Sequence, residues 1–211
     1  MTAPPSSGVC RASAKLAEAA ARYRHGSAAQ GAPRFPPARD AAGGAEGGSS
    51  LVAVDCGAAP GGWTRWLRVT ACCDEVYAID PGDLDDTVAA LPGVRHLRTT
   101  AARAIPQLRA LLAERGREEA RGVALWASDM CVHDAPDQVN TFLRAHGAGL
   151  LSPGAAFVLT VKCTVGHGRG RFDALADEEV GRLEAAGAHH VRVMHLFSNR
   201  GRERTIVGFI R

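Results

Sequence analysis

Short apolar segments alternate with longer helical segments from Leu51 onward, and this alternation limits the fold more than any other feature of the chain. Seven segments have the length and composition of strands: 51–55, 75–79, 94–98, 123–128, 155–161, 189–196 and 204–210. Helical patterns lie at 61–71, 102–116, 136–147 and 173–187. We therefore predict an α/β fold with a doubly wound, mostly parallel seven-stranded sheet and helices on both faces. The last strand follows a short loop, so we expect it to be antiparallel.

The first 50 residues differ in composition from the rest of the 211-residue chain. Residues 11–24 are rich in alanine and other good helix formers, so an N-terminal helix is predicted within residues 1–25. Residues 26–50 consist mainly of Gly, Ala, Pro and Ser, which is typical of a flexible linker. Residues 51–211 are expected to form a single α/β domain.

Composition excludes several classes of protein. No apolar run approaches the roughly 20 residues that span a bilayer, so a membrane protein is not expected. The six cysteines lack C-x-x-C spacing, which favours reduced thiols inside the cell. Adjacent His189 and His190 lie on a predicted strand, so their side chains should point to opposite faces, and we predict no metal site. The N-terminus is rich in arginine, serine and alanine, so targeting to an organelle stays open beside a cytoplasmic or nuclear location.

Arginine replaces lysine almost throughout the chain. The sequence has a net charge of +3, with 25 basic residues of which only Lys15 and Lys162 are lysines. An amine can lose its proton in a suitable site, whereas a guanidinium effectively cannot, so these two lysines are candidates for chemistry. Arginines cluster at 169–171 and 200–204, where they could contact phosphates.

A glycine-rich turn follows the first predicted strand. Gly57, Gly61 and Gly62 can adopt conformations that other residues avoid, and Pro60 stiffens the bend. The helix that follows would present free N–H groups to an anionic part of a ligand. The spacing departs from G-x-G-x-x-G, which argues against a dinucleotide-dependent oxidoreductase. A tight turn without a ligand is the alternative interpretation.

The segment DCGAAPGGWT at 55–64 resembles the D-x-G-x-x-P-G-G-W/F-S/T signature of the FtsJ-type methyltransferases. That family has a Rossmann-like sheet and binds S-adenosylmethionine. The resemblance implies that the methionine end of the cofactor lies against residues of this turn, namely Asp55, Gly57, Ala58, Pro60, Gly61, Gly62 and Trp63. It implies that Asp80, after the second strand, binds the ribose hydroxyls. Thr100 stands where the family usually has an adenine-binding Asp.

The same family carries a Lys-Asp-Lys-Glu tetrad, and the resemblance implies the members Lys15, Asp129, Lys162 and Glu203. RASAKLAEA resembles the helical element that bears the first lysine, and LWASDM ends in the family's S-D-M, although Cys131 onward departs from its usual A-P-N. Lys162 ends the strand AAFVLTVKC and is the expected catalytic amine, while Asp129 would also contact the cofactor. Each residue also has an ordinary interpretation, as a surface charge, a helix cap or a partner for nearby arginines.

The resemblance implies an RNA methyltransferase that moves a methyl group onto a ribose 2′-hydroxyl. The HLFSNRGRERT segment and the missing A-P-N favour the RlmM-like branch that acts on large-subunit ribosomal RNA. The branches that act on mRNA caps or tRNA, and a non-catalytic RNA-binding protein, are the alternatives. We expect a monomer.

Overall fold

The computed structural model describes residues 7–27, 31–37, 50–114, 122–131, 136–162, 169–199 and 203–211. Its centre is a seven-stranded sheet, whose strands are β1 (Val52–Cys56), β2 (Glu75–Ile79), β3 (Val94–Leu97), β4 (Val123–Ser128), β5 (Leu151–Lys162), β6 (Ala188–Met194) and β7 (Glu203–Ile210). The order across the sheet is β3-β2-β1-β4-β5-β7-β6. Strands β1 to β5 are parallel, and β7 pairs antiparallel with both β5 and β6. The predicted architecture is confirmed.

Helices connect the strands and cover the sheet. They are α1 (Ser7–Ser27), α2 (Gly62–Arg65) with a π-helical continuation at Trp66–Thr70, α3 (Asp86–Ala89), α4 (Ala101–Ala113), α5 (Pro136–Gly147) and α6 (Arg169–Ala185). Among the described residues no helix combines the length and the apolar character that crossing a bilayer requires.

Two apolar layers lie on opposite faces of the sheet, because successive side chains of a strand point in opposite directions. In β1, Val52, Val54 and Cys56 join the layer that contains α4 and α5. Ala53 joins the other layer, which contains α1 and α2. Strands that are buried on both faces read as continuous apolar runs, which explains why the central strands were recognisable from sequence.

Helix α1 precedes β1 in the chain and packs against one face of the sheet. Leu16, Ala19, Ala20 and Tyr23 are buried, and their three- and four-residue spacing places them on one side of the helix. Phe35, within the segment predicted as a linker, is fully buried with its ring centroid 5.8 Å from that of Tyr23. Most of that segment lies outside the described residues, so the division at 26–50 stays a prediction.

Local features differ from the sequence prediction in several places. The predicted helix 61–71 is α2 followed by a π-helical turn, and β5 begins at residue 151, four residues earlier than predicted. Helix α3 was not predicted, because it is a single turn that depends on the Asp85 side chain accepting a hydrogen bond from Thr87 N at 2.9 Å. Such short capped turns carry too little periodicity to be read from sequence.

The prediction for His189 and His190 was wrong. Their ring centroids are 5.1 Å apart, so the two side chains contact each other instead of pointing to opposite faces. The reason is an irregularity in the pairing of β6 with β7 between His189 and Arg192, where His190 has a φ of 52°. A bulge of this kind interrupts the alternation of side chains along a strand.

Candidate active site

The polar residues of the site come from neighbouring strands that end at one edge of the sheet. Cys56, the last residue of β1, is in register with Ile79 of β2 and with Ser128 of β4. Asp80 and Asp129, each one residue beyond its strand, therefore flank the end of β1. The chain continues from β1 to its neighbour β2 on one side, and β4 lies on the other side of β1. Doubly wound sheets bind ligands at such a point, where the order of the strands reverses.

The structure brings together the four residues implied as a tetrad. Lys15 Nζ donates to Asp129 Oδ2 at 2.9 Å and to Glu203 Oε2 at 3.1 Å. Lys162 Nζ lies 3.0 Å from Asp129 Oδ1. Asp129 therefore bridges the two amines, and the four side chains form the chain Glu203–Lys15–Asp129–Lys162.

Lys162 is positioned by the sheet itself. It is the last residue of β5 and is the register partner of Glu203, the first residue of β7. Its Nζ donates to the carbonyl oxygens of Met130 at 3.0 Å and Asp129 at 3.3 Å, and lies 3.7 Å from Cys131 Sγ. The contact with Asp129 Oδ1 is an ion pair without hydrogen-bond alignment, since that oxygen accepts no hydrogen bond among the described residues.

Lys15 lies between two carboxylates in a largely buried position, with 8% of its surface exposed. Burial lowers its pKa, but the charges and hydrogen bonds of Asp129 and Glu203 outweigh that effect, so the pKa is raised above the ordinary value of 10.5. Lys15 is therefore an ammonium at neutral pH.

Polar contacts fix α1, and with it Lys15, to the loop between β6 and β7. The Glu18 carboxylate accepts from Phe197 N at 2.8 Å and from Ser198 N at 3.4 Å, and it pairs with Arg22 at 2.8 Å. Arg22 donates to His195 O at 2.9 Å. We call these contacts the α1 latch. The sequence offered Glu18 only as a match to the family's helical element, because its partners lie about 180 residues away.

Two buried amides support the tetrad, and sequence reasoning missed both. Gln138 is fully buried on α5, accepts from Ser128 Oγ and donates to Met130 O at 2.8 Å, the carbonyl that also binds Lys162. Asn199 donates to Glu203 O at 3.5 Å and exchanges hydrogen bonds with Thr205 at 3.3 Å. Gln138 stands in no recognisable motif. Asn199 lies in the HLFSNRGRERT segment, but nothing in that pattern singles it out as a partner of the Glu203 carbonyl.

The glycines of the turn after β1 allow protein segments to approach each other. Gly57 has a φ of 82°, and a Cβ there would lie 2.7 Å from Met130 Cα. Gly61 has a φ of 115°, and a Cβ there would lie 2.8 Å from Val88 Cγ1. Gly57 thus holds the end of β1 against the segment after β4, which carries Asp129. Any other residue at Gly57 would force the two segments apart.

Asp55 is the most perturbed acid of the site. Its side chain is 1% exposed, and Oδ2 accepts from Thr64 Oγ1 at 2.7 Å, whereas Oδ1 has no hydrogen-bond partner among the described residues. Burial raises the pKa of Asp55 to about 7, against the lowering effect of Thr64, and the charges of Asp129 and Asp80 raise it further. A buried carboxylate oxygen without a partner is costly, so it marks a place for a donor from outside the chain.

Asp80 organises the turn and is partly exposed. Its Oδ2 accepts from Ala59 N at 3.1 Å and its Oδ1 from Gly82 N at 2.7 Å. Each carboxylate oxygen can accept a further hydrogen bond, so hydroxyl donors could still bind. Thr100 is exposed at the start of α4, beyond the end of β3, and its side chain makes no capping hydrogen bond.

The other turn residues differ in exposure. Trp63 is 3% exposed and packs in the apolar layer with α1, and Ala58 packs against Ala78 and Leu84. Gly62 is buried and Pro60 is exposed. The structure thus gives Trp63 a packing role, while Pro60 faces outward beside Asp80 in the turn.

The two arginine clusters lie only partly within the described residues. Arg200 and Arg202, and the side chains of Arg169 and Arg171, lie outside the described residues. Arg204 pairs with Asp173 at 2.9 Å and stacks on Phe172 at 4.9 Å, with 11% of its side chain exposed. Arg204 is therefore engaged within the protein and is not free to grip a phosphate.

Comparison with known families matches most of the chain to one family. The family model described as FtsJ-like methyltransferase matches residues 8–196, from the helix that carries Lys15 through β6. The chain belongs to the FtsJ-like methyltransferase family. The predicted resemblance is thereby confirmed.

Known relatives of this FtsJ-like chain include one similar in part of its sequence and others similar in fold. A 55-residue segment is 53% identical to a ribosomal RNA large subunit methyltransferase M from Halorhodospira halophila, covering 26% of this chain and 16% of that relative. A fibrillarin/Nop5p complex has a TM-score of 0.56 at 13% identity, over 77% of this chain and 73% of that chain. Aeropyrum pernix fibrillarin with bound S-adenosyl-L-methionine has a TM-score of 0.53 at 16% identity, over 76% and 66%. At these identities the solved structures show the Rossmann-like fold alone.

Proposed function

We propose that this protein transfers a methyl group from S-adenosylmethionine to a ribose 2′-hydroxyl of RNA, with ribosomal RNA as the substrate. The observation that carries the proposal is the chain of alternating charges Glu203–Lys15–Asp129–Lys162 beside the end of β1. Membership of the FtsJ-like family and the partial match to a ribosomal RNA methyltransferase support it.

The residues around the end of β1 fit the cofactor by their chemistry. Asp55 Oδ1 is a buried acceptor without a partner in the described chain, which suits a cationic amino group, and Asp80 has spare acceptor capacity, which suits ribose hydroxyls. We propose that these two acids and the 57–63 turn hold S-adenosylmethionine, with Thr100 or a nearby backbone group at the adenine. When bound, the cofactor supplies an electrophilic methyl group on a sulfonium.

The two amines have different parts in the proposed reaction. Lys15 stays protonated, because two carboxylates raise its pKa, so it cannot accept a proton. Lys162 is the remaining amine of the tetrad. Once it has lost its own proton to solvent, the neutral amine would accept the proton of the 2′-hydroxyl as that oxygen bonds to the methyl carbon and the methyl–sulfur bond breaks. Asp129 and the Met130 carbonyl hold Lys162 Nζ in place, and Lys15 holds Asp129. Fixed geometry supplies much of the remaining rate acceleration.

The proposal is tested by transfer of tritiated methyl groups from S-adenosylmethionine to ribosomal RNA isolated from cells that lack the protein. Digestion of the product to nucleosides, followed by mass spectrometry, should find the label on a ribose 2′-oxygen. Mapping of ribose methylation in the same cells should find one site missing. Label on a base would contradict the ribose assignment, and no transfer to any RNA, together with no calorimetric binding of S-adenosylmethionine, would remove the proposal. Sedimentation of the free protein tests the expected monomer.

A further inference from the structure

Phe197 is an aromatic side chain placed in solvent beside the tetrad. Its exposure is 93%, against 52% for Val69 and 41% for Val193, the other large apolar side chains described as exposed. The preceding residue, Leu196, is 1% exposed and belongs to the core. The chain therefore turns the aromatic ring outward at a point where its neighbour is anchored inward.

The position of Phe197 is fixed at both ends by residues that also fix the tetrad. On one side its backbone N–H donates to Glu18 Oε1 at 2.8 Å. Glu18 is three residues from Lys15 on α1, which is an axial rise of about 4.5 Å. On the other side, Asn199 donates to Glu203 O at 3.5 Å, and Glu203 binds Lys15. The backbone that carries Phe197 is therefore tied to the helix of Lys15 and to the start of β7, which carries Glu203.

The ring of Phe197 is supported from one face only. The guanidinium carbon of Arg22 lies 4.6 Å from the ring centroid, and Arg22 is itself fixed by Glu18 and His195 O. A cation on one face of an aromatic ring stabilises the ring's orientation without covering it. The high exposure means that the other face is open. The result is a flat apolar surface held at a set orientation, which is the geometry on which unpaired nucleobases stack.

We infer that Phe197 stacks on an unpaired base of the RNA substrate and so positions the target ribose beside Lys162. This inference rests on the proposed function for its substrate class. Charge at this surface agrees with an RNA occupant, because the Arg22 guanidinium lies on the ring itself, and the exposed His25 follows three residues later on the same side of α1. Cations of this kind attract the phosphates that flank a stacked base.

The test measures binding of a fluorescein-labelled single-stranded oligouridylate, by anisotropy, separately from methyl transfer. Phe197→Ala should weaken binding by about 10-fold, the size expected for one stacked base. Phe197→Leu should weaken it nearly as much, because stacking needs a flat ring and not apolar bulk, whereas Phe197→Tyr should bind as the wild type does. Val69→Ala, which also removes exposed apolar surface, is the control and should change nothing.

A second measurement reports the contact directly. In Phe197→Trp the new indole lies in solvent, whereas Trp63, Trp66 and Trp126 are buried. The oligouridylate should quench the added fluorescence as it binds, and calorimetry with S-adenosylmethionine should give wild-type affinity for every variant. In steady-state methylation of ribosomal RNA, Phe197→Leu should raise KM and leave kcat within about two-fold, since the substitution does not touch the reacting groups.

The outcomes separate this inference from the proposed function. Wild-type binding by Phe197→Leu, or no quenching in Phe197→Trp despite binding, would overturn the stacking role and leave the methyltransferase proposal standing. Loss of binding in Phe197→Leu without any methyl transfer by the wild type would uphold stacking and overturn the methyltransferase proposal. Absence of RNA binding by the wild type would overturn both.

Discussion

Lys162 and Lys15 reach the same carboxylate from two regions that are built in different ways. Lys162 is the last residue of a central strand, and pairing with β7 sets its position to within a residue. Lys15 lies on a helix that has no strand partner and depends on apolar packing and the α1 latch. Strand pairing therefore fixes the position of Lys162, and the packed helix α1 adds a second lysine beside Asp129.

The difference predicts that changes at Lys162 act on chemistry, while changes at Lys15 act on chemistry and stability together. Lys162 contacts two carbonyls that can bind water if it is removed. Lys15 separates two carboxylates that repel each other if it is removed. Substitutions at these two sites, at Asp55 and at Glu18 test this difference between the sheet and the helix.

The largest effect is expected from Lys162→Ala. Loss of the proposed base should lower kcat for methyl transfer by about 10²- to 10⁴-fold, and Asp129→Ala should also abolish transfer, because both amines lose their shared partner. S-adenosylmethionine affinity, measured by calorimetry, should change little in the Lys162 variant. Lys162→Arg keeps the charge but cannot accept a proton, so substantial turnover in that variant would show that the charge suffices and would remove Lys162 as the base.

Lys15→Met should lower kcat less, by about 10-fold, and should lower the free energy of unfolding at pH 8 by about 3 kcal/mol, because a largely buried pair loses one partner. The pKa of Lys15 is raised in the folded protein, so its stabilisation is complete below about 10.5 and is lost as pH rises through the folded value. The stability difference between wild type and variant, measured by urea unfolding, should thus shrink as pH rises above 10.5. A difference that stays constant as pH rises further would contradict the ion-pair account.

Asp55→Asn should raise stability while it weakens cofactor binding. The pKa of Asp55 is about 7 when folded and 3.8 ordinarily, so the wild type loses stability as pH rises from 3.8 to 7. The variant should be more stable by a few kcal/mol at pH 8 and should lose this advantage near pH 4. Asn can still accept from Thr64. Asp83→Asn, at an exposed acid, is the control and should show neither change.

The smallest effect is expected from Glu18→Gln, which weakens the α1 latch and leaves the core contacts of α1 intact. The loss should be about 1 kcal/mol of unfolding free energy, since charge-assisted hydrogen bonds become neutral ones. Hydrogen exchange at Phe197 and Ser198 should become faster, while exchange in β5 stays unchanged. Glu184→Gln, at an exposed acid on α6, is the matched control. Unchanged exchange at Phe197 would mean that packing alone positions this loop.

Elements of the fold that depend on local pattern could be predicted from the sequence. Strands β1, β2 and β4 are largely apolar and buried on both faces, and residues at their ends were expected near a ligand because parallel strands end together. Elements that depend on one side chain or one irregular residue could not, as α3 with Asp85 and the bulge at His190 show. Local pattern reports periodicity, and these features have none.

The candidate site divides in the same way. A family resemblance named Lys15, Asp129, Lys162 and Glu203. Their approach to one another depends on contacts between residues 114 and 188 positions apart, which local sequence pattern does not reveal. Gln138 and Asn199 escaped notice because each acts through a backbone carbonyl, which leaves no trace in residue type. Likewise, the sequence indicated that Gly57 can adopt unusual backbone conformations, but it could not show that Met130 fills the space beside Gly57.

The contact between Lys15 and Glu203 joins residues 188 positions apart, so a growing chain can make it only after β1 to β6 have been synthesised. A polypeptide still being synthesised can form β1 to β4 and the glycine-rich turn. Its Lys15 can then bind Asp129, but it has no second carboxylate to bind until Glu203 has been synthesised. The proposed tetrad would then be complete only after residue 203 has been synthesised. Since distant contacts of this kind also slow folding, the enzyme should acquire activity later than it acquires its helical signal.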